Sequence, residues 1–465
     1  MRIAFMHYHL RPGGVTTVIK QQVRALKGMC ESLVLTGENV LGGMSVEDAP
    51  VAVIPGIKYD RMGKPYHSPE KTADLIHEAV TARWPSGCDV LHLHNPLLKK
   101  NARFLRILTL LQERGYRLFL QVHDFAEDGR PNAYYEFQEY PENCHYGVIN
   151  SRDYRVLLAA GLKPEGLHVI GNVVNGLPRT ACPGNSSYVL YPVRGIRRKN
   201  LGEALLLTAY MPADYTLGIT LPPNSRQDLR IYTRWKQFAG TWRLPVEFGC
   251  GLENQFGCLV ERSAFMITTS IKEGFGFSFL EPWTAGRAVA GRRLDYVCAD
   301  FEKTGIKFDG MYQELKIPFT MINSRAFARA WAEAYAAYRV KYGLPADFPE
   351  AESKAAAIVA SGNVDFGNLD EQFQRKVLRQ IFEKESAAAE LAEYNPGLQN
   401  LGRMEREEIE ENRNTVEREF SLDRYRARLL SIYDAVMMKH VVHRIDKKTM
   451  LEKFMDSAEW SMLDV

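Results

Sequence analysis

The feature that most constrains this chain is a recurrence. Short, near-continuous apolar runs alternate with stretches of helical periodicity, and the alternation happens twice. The first series holds RIAFMHY (2–8), SLVLTG (32–37), VAVIPG (51–56), DVLHLHN (89–95), RLFLQVHD (117–124), YGVIN (146–150) and LHVIGN (167–172). Helical patterns fall between them, for instance at 15–27, 99–114 and 151–160. A strand that is apolar along its whole length needs cover on both faces, and intervening helices supply it. That combination predicts a parallel, doubly wound sheet.

NGLPRTACPGNSS (175–187) reads as a linker, because Gly, Pro, Asn and Ser punctuate regular structure. The second series follows: YVLYPVR (188–194), YTLGITLPP (215–223), PVEFGC (245–250), AFMITTS (264–270) and AVAGRRL (288–294), with helices expected at 200–210, 225–239 and 277–286. The fold class expected is therefore α/β, with two Rossmann-like doubly wound domains facing across a cleft at the carboxyl ends of their strands. A length of 465 residues accommodates two such domains and more. From about residue 320 the pattern is helical. SRAFARAWAEAYAAYRVKYG (324–343) starts on a capping Ser324 and stops near Gly343. RMEREEIEENRNTVERE (403–419) reads as a solvated helix face of mixed charge.

Other classes are disfavoured. The formal net charge of +3 gives no field that argues for nucleic acid or an anionic membrane. No stretch reaches the roughly 18 continuous apolar residues of a membrane span. The start, MRIAFMHYHL, lacks the features of a signal peptide. The seven cysteines are odd in number and contain no Cys-x-x-Cys pair, which predicts reduced, mostly buried thiols and neither a disulfide framework nor a zinc site. The expectation is a cytoplasmic protein.

Five stretches hold candidate chemistry. Gly13 and Gly14 follow the first strand and open a helix, where glycine lets a ligand approach and a helix N-terminus favours negative charge. A tight strand-to-helix turn explains them equally well. His92 and His94 share a strand face, without the third ligand a metal site needs. His123 and Asp124 end the fifth strand, placed either for a substrate hydroxyl or proton, or for local backbone pairing. Arg194 and Lys199, with Arg197 and Arg198 between them, form a basic turn suited to a diphosphate. Glu273 and Glu281 lie in IKEGFGFSFLEPWTAG (271–286), the first among Gly274 and Gly276, the second little more than one turn into the expected helix. Read alone, the two carboxylates fit a hydrolase acid and base, polar hooks for a sugar nucleotide, or a solvated loop and an ordinary helix face.

In order, RPGGV, DVLHLHN, VHD, YGVINSRDYRVLLAAGL, VIGNVVNG, PVRGIRRKN and KEGFGFSFLEPWTAG resemble the GT-B glycosyltransferases, and within them family 4 of retaining, nucleotide-sugar-dependent enzymes. The resemblance spans roughly residues 1–290. It implies transfer of a hexosyl group, glucose or mannose, from a UDP- or GDP-hexose to an acceptor hydroxyl, with no permanently bound cofactor and no required metal. Arg194 and Lys199 match the pair that binds the donor diphosphate. Glu273, beside the Gly274–Phe275–Gly276 backbone, matches the contact to donor-sugar hydroxyls. Glu281 matches the ribose contact, Gly14 the loop over the phosphates, and His123 the histidine near the sugar's 6-hydroxyl. Gly13, Arg11, His94, Asp124 and Arg130 are acceptor-side candidates, and Arg11, Arg130, Arg197 and Arg198 either suit a small anionic acceptor or are exposed arginines that only solubilise the surface. The implied domains are residues 1–180 for the acceptor, 187–420 for the donor, and helices at 421–465 that cross back to the first domain. The chain departs from the family at PWTAG, where smaller residues are usual, and in the insertion at 127–146. A hydrolase or phosphorylase using Glu273 and Glu281, and a non-catalytic sugar-nucleotide-binding protein, are the alternatives.

Overall fold

The computed structural model describes residues 1–38, 48–60, 67–182, 187–457 and 460–464. The chain forms two compact units, Met1–Val173 with Phe420–Asp456, and Val174–Glu419 with Ser457–Val465.

The first unit is built on β1 (Arg2–His7), β2 (Glu31–Thr36), β3 (Val51–Val53), β4 (Val90–His94), β5 (Leu118–Val122), β6 (His145–Val148) and β7 (Leu167–Val169). Their order is β3-β2-β1-β4-β5-β6-β7, and every neighbouring pair is parallel. Alternate side chains of one strand point to opposite faces, and both faces are covered. Ala4 and Met6 of β1 join Leu91, Leu93, Leu118 and Leu120 in one core layer, which the helix Phe104–Glu113 closes. Ile3 and Phe5 join Val90 and Phe119 in the other, closed by the helices Gly14–Leu26 and Leu422–Met438. The second of these helices presents Tyr425, Leu429, Ile432, Tyr433 and Val436 at helical spacing. Its polar tips bond the interior. Gln22 Nε2 donates to Tyr425 Oη at 2.8 Å and to Gln121 Oε1 at 2.7 Å. His92 Nε2 donates to the same amide oxygen at 3.0 Å, so its Nδ1 accepts from the Tyr433 hydroxyl at 2.9 Å. His92 is thereby committed to packing.

In the second unit β8 (Tyr188–Arg194), β9 (Thr216–Leu221), β10 (Val246–Phe248), β11 (Ser263–Thr268), β12 (Val289–Arg292) and β13 (Met311–Tyr312) lie in the order β10-β9-β8-β11-β12-β13, all parallel. Helices follow, among them Ser324–Val340, Phe348–Ala360, Glu371–Glu383 and Arg406–Glu419. The cap of the first is Asn323, one residue earlier than the sequence suggests, and its side chain accepts from Ala326 N. The highly charged helix Arg406–Glu419 has a solvated face and a docked side that buries Asn412, Thr415 and Val416. Asn412 is fully buried and makes two 2.9 Å hydrogen bonds to the Lys307 backbone.

Two expectations need correction. The segment from 421 onward is not one block, because residues from Ser457 belong to the second unit. The cysteines are not all reduced either. Cys182 and Cys258 form a disulfide with Cα atoms 5.6 Å apart, while Cys30, Cys88, Cys144, Cys250 and Cys298 are free. The cause is the path of the linker, which folds along the helix Phe256–Arg262. Thr180 N donates to Gly257 O at 3.2 Å and Arg179 pairs with Glu261 at 2.8 Å. A separation of 76 residues conceals that proximity in the sequence. Residues 183–186 of the linker lie outside the described residues. Among the described residues no helix is long and apolar enough to cross a membrane.

Each sheet has a switch point where strand order reverses, between β1 and β4 in one and between β8 and β11 in the other. Open parallel sheets leave a crevice there, outside the carboxyl ends of the strands. The loops after β1, β8 and β11 hold Arg11, Gly13, Lys199, Glu273 and Glu281, while His94 ends β4 and His123, Asp124 and Arg130 follow the neighbouring β5.

Candidate functional site

In the second unit the chain leaves β8 through the turn Arg197–Lys199 and enters the helix Leu201–Leu207. Asn200 joins them in the left-handed region, with φ 48°. An asparagine tolerates that conformation when its side chain bonds locally. Here Asn200 Nδ2 donates to Glu203 Oε2 at 2.7 Å and Oδ1 accepts from Gln374 Nε2 at 2.8 Å. The Lys199 carbonyl accepts from the Tyr191 hydroxyl at 2.7 Å and from Thr269 Oγ1 at 3.0 Å. The turn is thus fixed by β8, β11 and the helix below it.

Lys199 forms an ion pair with Glu273, and both side chains are nearly buried. Burial works to raise the Glu273 carboxyl, but Lys199 and Arg198, with hydrogen bonds from Lys199 and Ser270, outweigh it and hold the group below its ordinary value. Glu273 is therefore an anion at neutral pH. Its peptide is clamped by Tyr296, whose hydroxyl accepts from Glu273 N and donates to Glu273 O, each at 2.8 Å. Ile271 N donates to Arg198 O at 3.0 Å, tying the two loops together. Arg194 takes no part in this pairing. It is exposed, and its Nη1 donates to Pro222 O at 2.7 Å and Asn224 Oδ1 at 2.8 Å, toward the loop after β9. Arg197 is held by Glu371 at 2.6 Å.

The expected helix 277–286 is shorter than the sequence suggests. A 3₁₀ turn, Phe277–Phe279, is followed by one helical turn, Glu281–Thr284. Pro282 lacks the N–H that a helix interior needs, and Gly276 (φ 87°) and Gly286 (φ 64°) bound the segment in left-handed conformations. At Gly276 a Cβ would lie 2.6 Å from Val297 Cγ1, so glycine is required twice over. Glu281 is consequently the first residue of its turn. Phe275 and Trp283 face inward: Phe275 packs on Phe277 and Phe301, and the Trp283 indole donates to Phe279 O at 2.7 Å.

The Glu281 carboxylate has no hydrogen-bond or ion-pair partner among the described residues. Burial raises its pKa from 4.5 to about 7. A carboxyl whose folded value is raised stabilises the fold most below its unfolded value, and that contribution is lost as pH rises from about 4.5 to 7. At pH 8 the ionised group costs at most about 3 kcal/mol, less where water reaches it. Glu281→Gln is expected to melt higher than wild type at pH 8 and alike at pH 4.5, as thermal unfolding at the two pH values would measure.

In the first unit Gly13 is extended, at φ 168°, and Gly14 begins the helix; an added Cβ at Gly14 would meet nothing within 4 Å. His94 Nδ1 lies 2.9 Å from His123 Nε2, the rings stacked at 13°. Burial lowers His123 to about 4 and His94 well below its ordinary value, so the pair is neutral at neutral pH. Among the described residues His94 Nε2 is buried without a hydrogen-bond partner. Asp124 pairs with Arg130 at 2.6 Å, and Arg11 with Glu38 at 2.6 Å. Asn95, in the left-handed region at φ 53°, accepts through Oδ1 from His123 N at 2.7 Å and Asp124 N at 3.1 Å. Sequence reading misses Asn95, Asn200 and Tyr296, which act through backbone contacts that motif spacing does not encode. Among the described residues no group of three His, Cys, Asp or Glu is arranged to hold a metal ion.

No family model matches the sequence. In structure the chain is similar to a glycosyltransferase from Rickettsia africae ESF-5, with a TM-score of 0.54 at 13% identity, over 94% of this chain and 99% of that one. It is also similar to Anabaena Alr3699/HepE in complex with UDP, with a TM-score of 0.50 at 11% identity, over 93% and 99%. The chain has the GT-B fold. Within GT-B terms, β1–β7 form the first Rossmann-like sheet and β8–β13 the second. In sequence, the chain is 26% identical over 339 residues to mannosylglucosyl-3-phosphoglycerate synthase of Petrotoga mobilis, a match covering 64% of this chain. The chain spans 65% of that relative's length.

Proposed function

We propose that this chain is a retaining glycosyltransferase that moves a hexosyl group, glucose or mannose, from a UDP- or GDP-hexose to a hydroxyl of a small anionic acceptor. The observation that carries this reading is the second switch point, where Lys199 and Arg198 share the buried anion Glu273 and Glu281 stands unpartnered nearby in sequence. In this reading the donor diphosphate takes over the Lys199 ammonium, which frees Glu273 to accept from sugar hydroxyls. Glu281 accepts from the ribose. Cations fixed in advance stabilise charge as it develops on the departing diphosphate, which in turn takes the acceptor's proton. Arg194 joins them by leaving Pro222 and Asn224, a side-chain movement. Neutral His123 serves as a hydrogen-bonding group, with its ring held by His94. Gly14 gives the phosphates open backbone. For the acceptor, the Petrotoga relative's name contains a phosphoglycerate, an anion. Arg11 and Arg130 are paired with Glu38 and Asp124, and an anionic acceptor would exchange with those carboxylates.

A screen of UDP-, GDP- and ADP-hexoses by thermal shift tests the donor. A ligand at a hundred times its Kd adds about 2.7 kcal/mol by mass action, a shift of several degrees. One uridine or guanosine sugar is expected to give it. The hydrolase alternative draws on one observation, that Glu273 and Glu281 are pushed apart in pKa as an acid and base would be. No shift with any nucleotide sugar, together with sugar release from a plain glycoside, would favour it.

A further inference from the structure

We propose that residues 460–464 complete the donor site, with Asp464 as a positioning residue for the loop that bears Glu273. The proposal rests on the reading of that site as the donor site. The chain reaches this place from the helix Lys447–Phe454, which belongs to the first unit, whereas the residues after Asp456 belong to the second.

Three sets of contacts fix the segment. Trp460 is 3% exposed and packs against Trp331, Tyr335 and Tyr338, with ring centroids at 5.2, 5.2 and 5.9 Å. Ser461 Oγ donates to Gly367 O at 2.6 Å and accepts from Leu463 N at 3.0 Å. The turn Met462–Asp464 then packs on two others, Arg197–Lys199 and Phe366–Asn368. At its end Asp464 Oδ1 lies 3.4 Å from Lys272 Nζ, with the aspartate side chain 7% and the lysine 16% exposed.

A nearly buried carboxylate is costly unless paired, so its placement here needs an account. Lys272 directly precedes Glu273. With Lys199 and Arg198 already facing that glutamate, a loose Lys272 would be a third cation competing for it. Asp464 takes Lys272 up and leaves the Lys199–Glu273 pair undisturbed. The contacts that pin the loop Thr269–Gly276 include Thr269 on the Lys199 and Asn200 carbonyls, Ile271 N on the Arg198 carbonyl, the Glu273 peptide on Tyr296, and Lys272 on Asp464. The segment 460–464 supplies the last of these and touches the Lys199 turn as well.

The test has two arms on the full chain. Hydrogen exchange of the amides at 270–276, without ligand, reports the pinning whatever the protein's activity. Asp464→Asn is expected to speed exchange there and to raise KM for the nucleotide sugar about tenfold, the equivalent of about 1.4 kcal/mol, with kcat little changed. Asp464→Glu is expected to restore both. If Asp464→Asn folds poorly because a nearly buried ammonium loses this carboxylate, Lys272→Met with Asp464→Leu removes both charges, and the same two changes are expected. Unchanged exchange and KM in a folded variant would overturn the proposal. A lowered KM would also overturn it, because the segment would then be shielding the cations. Failure of the wild-type chain to turn over any nucleotide sugar would sink the functional reading alone and leave the exchange arm standing.

Discussion

Lys199→Ala is expected to lower turnover of the nucleotide sugar by about a hundred- to a thousandfold, the usual effect of removing one fixed charge-stabilising donor from a transition state, with the fold intact. The side chain lies on a turn held by main-chain contacts to Tyr191 and Thr269, which the substitution leaves in place. What it removes is the ammonium facing Glu273. Arg198 stays and keeps part of the field, so Glu273 does not become a buried anion without any counter-charge. The loss should therefore appear in kcat and only weakly in the melting temperature. Glu273→Ala removes the partner and is expected to lose activity comparably. If both folded variants kept activity within threefold of wild type, neither residue would act on the donor and the assignment of this site would be wrong.

The strands were legible because parallel strands buried on both faces are apolar along most of their length, and β1, β4, β5 and β8 carry that signal even though His92, His94 and Gln121 interrupt β4 and β5. β13 did not show because two residues, Met311–Tyr312, are too few for any periodicity. The basic turn and its glutamate were legible as a spaced pair, since both lie on loops after strands at one switch point. Arg194 was not: its contacts are set by the loop after β9, and nothing in its own neighbourhood announces Asn224. Tyr296 reaches back 23 residues to clamp a peptide, and Cys182 meets Cys258 only because the linker doubles along a helix. Contacts of this kind depend on where packed elements bring the backbone, which local pattern does not specify. The overlong helix at 277–286 has the same origin, since the apolar run looked periodic while Pro282 and two left-handed glycines limited it to one turn.

Arg292→Ala is expected to cost about 3–5 kcal/mol, the range for breaking a buried ion pair by removing one partner. Arg292 is 5% exposed. It bonds Glu203, which is fully buried, at 2.7 Å and Asp365 at 2.7 Å. Glu203 also accepts from the Tyr312 hydroxyl at 2.9 Å and from Asn200 Nδ2 at 2.7 Å. Without the guanidinium, Glu203 keeps those two hydrogen bonds but loses its counter-charge. The melting midpoint should fall by on the order of ten degrees. By contrast Arg329→Ala breaks an exposed pair with Glu333, 82% and 58% exposed, and should leave the melting midpoint essentially unchanged. Replacing Arg292 and Glu203 together by leucine should recover part of the loss, because the fully buried carboxylate goes with the guanidinium and only Asp365, 13% exposed, is left without its partner. It should not recover activity. Asn200 follows Lys199 in a left-handed conformation that Glu203 helps to hold, so a chain that is stable again but lacks that carboxylate leaves the lysine's turn less well fixed. Recovery of stability and activity together in the double variant would mean that the network serves the core alone.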